Sequence, residues 1–444
     1  MVSRDGARKV WLECTETSQT HSPRGIPRVV NNIVRTRDAV ASQFDLQITP
    51  VAFSYGVWNP VTCPAAQPQQ APKDPTHKQH SQSTQAVQNL PFSALRRCLA
   101  PPPGRSGIFK GPRKILRETR RLARRILAPT ISLGETDTLV LLEPRLKAPR
   151  GYWSQVAAAR AQGTTIATVV YDLIPVTHSH LVGNKHSRRF QSWLHHIAEH
   201  SDTFIAISKT IRDELRNYFQ ATFSDRTWAD ERFRSFPLGS EIVHGTPGPV
   251  RPAVQETFAE QNTYLMVGAL EARKNQPFLL DAFEQLWERG VNVRLCLVGA
   301  FTRSLAEFIE RVEQHPELGR RLYWYKDLND TEVDYCYRAC KALVYPSMVE
   351  GFGLPIVEAL QHGTTVLASD IPIHREVGGD FCGFFTLESP QPLIEMIINS
   401  QQDNTDLGLQ SPEHFQASSW QDSSRELIAQ CIRGTAASSR LRAA

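Results

Sequence analysis

Short apolar runs alternate along this chain with stretches whose apolar residues recur at helical spacing. Val10 to Thr15 reads as a strand, and the polar loop ending Pro23-Arg24-Gly25-Ile26-Pro27-Arg28 follows it. Val29, Val30, Ile33 and Val34 then lay one apolar stripe along a helix that runs to Val40. Strand, glycine-bearing loop and helix are the opening of a doubly wound α/β unit. The alternation continues with strands over Leu46–Tyr55, Leu139–Leu142, Thr165–Val170 and Thr203–Ser208, and helices over Ser154–Gln162 and Phe190–His200. Phe236-Pro237-Leu238-Gly239-Ser240 closes this half. His244–Pro252, with its Gly and Pro, reads as a linker. The pattern then restarts, with strands over Tyr264–Gly268, Val293–Gly299, Leu322–Tyr325, Ala342–Pro346 and Thr365–Asp370. Helices Pro277–Arg289, Leu305–Gln314, Asp330–Cys340, Ile356–Gln361 and Leu387–Ser400 lie between and after them. The division expected is a first domain over 1–245, a second over 246–425, and a terminal helix and tail over 418–444.

One segment breaks the alternation. From Asn59 to about Ser106 the chain is rich in Pro, Gln, Ser and His and poor in large apolar residues. Such a stretch cannot bury enough surface to offset its ordering entropy, so 59–128 reads as a disordered or loosely packed insertion. Within it, Phe109–Leu127 interleaves eight Lys and Arg residues with Ile115, Leu116, Leu122, Ile126 and Leu127. A helix there would be amphipathic and cationic, suited either to an anionic membrane surface or to packing on its own domain.

Composition adds limits. Of 444 residues 41% are hydrophobic and 21% charged, which is globular composition with room for two substantial cores. A net charge of +5 suits anionic ligands without demanding nucleic acid, and one basic segment with no aromatic platform is weak support for a nucleic-acid binder. The eight cysteines form no C-x-x-C pair and read as free thiols in a reducing compartment. Met1–Lys9 is polar with no apolar run after it, and no stretch approaches the length of a membrane span. The expectation is a cytoplasmic protein, with possible peripheral contact at the membrane.

Candidate chemistry centres on Glu350-Gly351-Phe352-Gly353-Leu354-Pro355-Ile356-Val357-Glu358. An apolar strand precedes it. Pro355 suits a helix start and Gly363 a helix end. The glycines therefore lie on a strand-to-helix turn at a strand's carboxyl end, where open α/β sheets bind ligands. Glu350 falls in the loop and Glu358 in about the first helical turn, so one ligand could meet both carboxylates. Ordinary α/β construction uses the same parts, and spacing alone leaves both readings open. Asp172 also follows a strand, as a ligand contact or a turn cap. Arg273 and Lys274 follow the strand ending in Gly268, where two cations could meet a diphosphate or simply face solvent.

The stretch E-G-F-G-L-P-x-x-E-A resembles the E-x7-E signature of retaining GT-B glycosyltransferases, the group often called family 4. Four other segments resemble that family: V-G-x-x-x-x-R-K-N at Val267–Asn275, Y-D-L-I-P at Tyr171–Pro175, the turn around Gly25 and Arg28, and I-A-I-S at Ile205–Ser208. Tyr171 stands where the family commonly has His, and Arg24 and Pro27 depart from its usual first turn. The resemblance implies an α/β protein of the GT-B fold, two Rossmann-like doubly wound domains facing across a cleft. The terminal helix would cross back to brace the first domain, with Trp420 packing there.

It further implies a donor site made of Gly268, Arg273, Lys274, Gly351, Phe352, Gly353, Leu354 and Glu358, with Glu358 on the ribose. Glu350 would orient the sugar, Asp172 would assist the acceptor, and Gly25 and Arg28 would face the cleft. The implied reaction moves a hexose, with a leaning to mannose, from a GDP- or UDP-linked donor to a glycan or lipid-linked acceptor. The anomeric configuration is retained, and the setting is surface polysaccharide synthesis. No D-x-D sequence occurs, so no metal and no cofactor are expected. A nucleotide-sugar epimerase or hydrolase on the same fold, or a non-catalytic nucleotide-sugar binder, are the alternatives.

Overall fold

A computed structural model describes residues 8–20, 25–54, 56–61, 130–241, 248–301, 305–401 and 408–443, with side chains through residue 434. All of them belong to one compact unit. The expected insertion, from residue 62 onward, lies outside the described residues, as do Phe109–Leu127, Cys63, Cys98 and residues 244–247 of the expected linker.

Two sheets organise the chain. The first has seven strands, β1 (Lys9–Glu13), β2 (Gln47–Ser54), β3 (Val57–Pro60), β4 (Thr138–Leu141), β5 (Thr165–Val170), β6 (Thr203–Ala206) and β7 (Phe233–Ser235). Their spatial order is β3-β2-β1-β4-β5-β6-β7. Only the β2–β3 pair is antiparallel. The second has six parallel strands, β8 (Thr263–Val267), β9 (Arg294–Val298), β10 (Leu322–Tyr325), β11 (Ala342–Tyr345), β12 (Val366–Ser369) and β13 (Cys382–Phe385). Their order is β10-β9-β8-β11-β12-β13. Strands β4, β5, β6, β11 and β12 are buried at every position. That is the pattern of parallel strands covered by helices on both faces, and it explains their unbroken apolar runs.

The strand order reverses between β1 and β4 in the first sheet and between β8 and β11 in the second. Each reversal leaves the loops of adjacent strands diverging to opposite faces and opens a crevice at their carboxyl ends. Both expected Rossmann-like units are therefore present.

The helix Ile26–Phe44 buries Val29, Val30, Ile33, Val34 and Val40, the stripe read from the sequence. The terminal helix, Trp420–Ala443, returns to the first sheet. Its Trp420, Leu427, Ile428 and Cys431 join the same apolar cluster as Val30 and Ile33, and Thr36 Oγ1 lies 2.7 Å from Ser424 Oγ. Trp420 is fully buried, its indole N–H donating to the Glu241 carbonyl at 3.0 Å. Phe352 and Val357 of the second half also enter this cluster.

Cys296, Cys336, Cys340 and Cys382 are free thiols. Among the described residues no helix is long and apolar enough to cross a membrane.

Candidate functional site

The sheet order brings the loops after β8 and β11 side by side. The first loop runs from Gly268 to Asn275 and tightens into a short 3-10 turn at Ala272–Lys274. The second runs from Pro346 to the helix Leu354–Gln361. They are stitched together where the Met348 N–H donates to the Arg273 carbonyl at 2.8 Å.

Residues 77 positions apart meet as a result. Arg273 donates through Nη1 to Glu350 Oε2 at 2.6 Å, and through Nε to Glu271 Oε2 at 2.9 Å. Lys274 Nζ donates to Glu350 Oε1 and to the Tyr345 hydroxyl, which itself reaches Glu350 Oε1 at 3.0 Å. Glu350 and Lys274 are both buried. Burial works against the Glu350 carboxylate, but Lys274 and Arg273 outweigh it and hold its pKa well below the usual range. Gly268 closes β8 beside this group. A Cβ built on it would sit 3.6 Å from Lys274 Cε.

The helix begins at Leu354, with Pro355 in its first turn and Gly353 at the cap with φ +94°. A side chain there would be strained, so glycine suits the position. Glu358 thereby falls just past the first turn. It is buried and doubly held: Tyr337 OH donates to Oε2 at 2.8 Å and Arg28 Nη1 to Oε1 at 2.6 Å. Arg28 comes from the first sheet's opening helix, whose cap is Gly25 with φ +64°. The residue expected to face the cleft thus reaches the second half directly. Its Nη2 is buried and has no partner among the described residues.

Asp172 stands two residues past β5. Its Oδ1 accepts the Ile174 N–H at 3.1 Å, so it caps a turn. It also faces the second half. Burial raises its pKa to about 6, against the pull of Arg273. Gly351 explains the proximity, because a Cβ there would collide with the Tyr171 carbonyl oxygen and lie 3.2 Å from Asp172 Cβ. Phe352 is buried in the apolar cluster of the first sheet, and Leu354, partly buried, packs against that cluster.

Several participants carry no motif. Tyr345 and Tyr337 sit in stretches that read as plain strand and helix. His374 lies on the helix Pro372–Gly378 and is fully buried, with Nδ1 3.0 Å from the Ser369 carbonyl. A carbonyl can only accept, so Nδ1 carries the proton and Nε2 is left as an acceptor with no partner among the described residues. Burial pushes its pKa down to about 4. The ring lies under the signature turn, Cδ2 3.6 Å from a Cβ built on Gly353. Two residues on, Glu376 accepts the Lys209 and Thr210 N–H groups, both at 2.7 Å, at the start of the first-half helix Lys209–Thr222. A buried polar ring in a helical stretch and an acid on a short helix give no sequence signal of their own.

The chain is similar to several known proteins. Residues 251–400 match the family described as glycosyl transferases group 1. The serotype-specific mannosyltransferase WbdA of Escherichia coli is 28% identical over 252 residues, 55% of this chain and 31% of WbdA. The O-antigen chain mannosyltransferase B of Escherichia coli is 28% identical over 251 residues, 54% of this chain and 63% of that protein. The chain thus spans less than two thirds of either relative.

Among solved structures, Anabaena HepE in complex with UDP and glucose superposes with a TM-score of 0.52 at 14% identity, covering 98% of this chain and 100% of HepE. Sucrose-phosphate synthase from Thermosynechococcus elongatus superposes with a TM-score of 0.52 at 17% identity, covering 98% and 99%. These likenesses establish the GT-B fold. The stretch that matches the glycosyl transferases group 1, residues 251–400, carries Arg273, Lys274, Glu350 and Glu358.

Proposed function

We propose that the protein transfers a hexose, mannose in the first instance, from a nucleotide sugar to a glycan or lipid-linked acceptor in surface polysaccharide synthesis. The observation that carries this reading is the junction of Arg273, Lys274 and Glu350 at the β8/β11 crevice. Both relatives are named as mannosyltransferases, which supports the sugar, and one is named for the O-antigen chain, which supports the setting.

The geometry supports a division of labour. Arg273 keeps Nη2 without a partner among the described residues, and Lys274 has a third N–H to give. Both can meet a diphosphate while Glu350 fixes their position. As the glycosidic bond breaks, charge grows on the departing diphosphate, and fixed cations near it stabilise that charge without reorganising. The helix start at Leu354 presents further N–H groups to the same region. Glu358 would accept hydroxyls of the nucleotide ribose, with Arg28 and Tyr337 holding its carboxylate in place.

Retention of configuration is part of the proposal, by a route in which the acceptor hydroxyl attacks on the face the diphosphate leaves. A carboxylate acting as covalent nucleophile is less suitable here. Glu350 is held by a lysine, an arginine and a tyrosine, and so stabilised an anion is a poor nucleophile. Asp172, facing this group from the first sheet, would position the acceptor hydroxyl or take its proton. No metal and no cofactor enter the proposed reaction. GDP- and UDP-linked donors are both candidates, HepE having been solved with UDP.

The test is a thermal-shift panel of UDP-, GDP-, ADP- and dTDP-sugars on the wild type and Glu358→Ala. The variant leaves Arg28 unpaired and will melt lower by itself, so the quantity compared is the shift on adding nucleotide. One donor should raise the wild-type melting temperature and fail to raise the variant's. A panel with no shift in the wild type, even near millimolar concentrations, would overturn the proposal.

A further inference from the structure

A second crevice lies at the carboxyl ends of β4 and β5. It is a cavity of about 430 Å³ beside Asp172. The loop after β4, the turn after β5 and the helix Asn184–His200 frame it, together with Glu16 after β1 and Ile26 at the start of the helix Ile26–Phe44. Its walls are apolar, with Tyr171, Phe190 and Trp193 all buried and Ile26, Pro144 and Leu146 partly so. Such walls suit the C–H face of a sugar ring.

The charges around it are uneven. Lys147 is exposed and Arg189 half-buried, and neither has an ion pair or hydrogen bond among the described residues. The lining carboxylates are engaged elsewhere. Glu16 pairs with Arg145 Nη1 at 3.1 Å, and Asp172 caps Ile174 while facing Arg273. His186 is exposed on the same side. Two uncompensated cations beside an apolar pocket, with a carboxylate at its inner end, describe a ligand with a sugar body and an anionic substituent.

We infer that the cavity takes the acceptor, and that the acceptor sugar is anionic, its carboxylate or phosphate meeting Lys147 and Arg189 while a hydroxyl is presented to Asp172. This rests on the transferase reading for the word acceptor, but the charge preference can be measured without it. Arg offers a fork to either anion and Lys a point charge, so a uronate and a sugar phosphate share the required chemistry.

Ligand-observed NMR titrations with methyl α-mannoside, glucuronic acid and mannose 6-phosphate test this. They would be run on the full chain, with and without the nucleotide diphosphate selected by the thermal-shift panel, so that the donor crevice does not compete for phosphate. At least one charged sugar should bind about tenfold more tightly than the neutral one, the scale of one charge-assisted contact at a partly exposed site. Lys147→Gln and Arg189→Gln should each remove most of that preference and leave the donor thermal shift intact. Lys147 is exposed, so its variant carries little folding risk. Which charged sugar wins separates a uronate from a phosphate acceptor.

Equal binding of charged and neutral sugars, unaltered binding in both variants, or no binding of either charged sugar overturns the inference. A preserved charge preference alongside a negative nucleotide panel would leave an anionic-sugar site and remove the transferase reading instead.

Discussion

Asp172 is an acid whose burial matters at ordinary pH. Its pKa stands at about 6 rather than near 3.8, so it is still ionised at neutrality but protonates within a testable range. If the carboxylate positions or deprotonates the acceptor, the rate rises with pH up to about 6 and levels off above it. Asp172→Asn should lose that inflection and fall by roughly 10²–10⁴, the usual worth of a general base. A pH–rate profile that keeps the same inflection in the variant would rule the role out.

The residues legible in the sequence were those with a spacing rule: Glu350 with Glu358, Arg273 with Lys274, and Asp172 after a strand. Tyr345, Tyr337, Arg28 and His374 matter through contacts 5 to 330 positions away, and no local pattern encodes a contact at that range. Arg28 shows the limit well. Its helix was readable, but not that its guanidinium would cross to the other half and hold Glu358.

At the scale of elements, the signature turn is shaped by what lies against it. Gly351 is a close-approach glycine, since any Cβ meets the Tyr171 carbonyl. Gly351→Ala should therefore push the turn away from Asp172 while leaving each half folded. Overpacking of this kind costs about 1–3 kcal/mol, and activity should drop at least about tenfold. A variant as active as wild type would mean that the contact is dispensable. The interior strands were readable because parallel strands covered on both faces leave unbroken apolar runs. Strands β3, β7 and β13, each of three or four residues, were missed. All three sit at sheet edges, where one neighbour suffices and the sequence need not be uniformly apolar. Asn59 and Pro60 illustrate this. They read as the start of the insertion, yet they pair antiparallel with β2.

For the molecule as a whole, the connection between halves is made by side chains as well as by the terminal helix anchored through Trp420. The helix Lys209–Thr222 has its own cap in Ser208, which accepts the Ile211 N–H at 3.1 Å. The two amides that Ser208 does not reach, those of Lys209 and Thr210, are completed by Glu376 of the other half. The first turn of that helix is thus finished only while the halves touch, which makes those two amides a built-in clock for their separation. In hydrogen–deuterium exchange their deuteration should quicken in Glu376→Ala, slow when the preferred nucleotide is added, and leave the later turns of the same helix unchanged. A first turn that quickens in Glu376→Ala but does not respond to nucleotide would mean that the halves stay together throughout the cycle, whereas identical exchange in all three states would mean that Glu376 does not protect those amides.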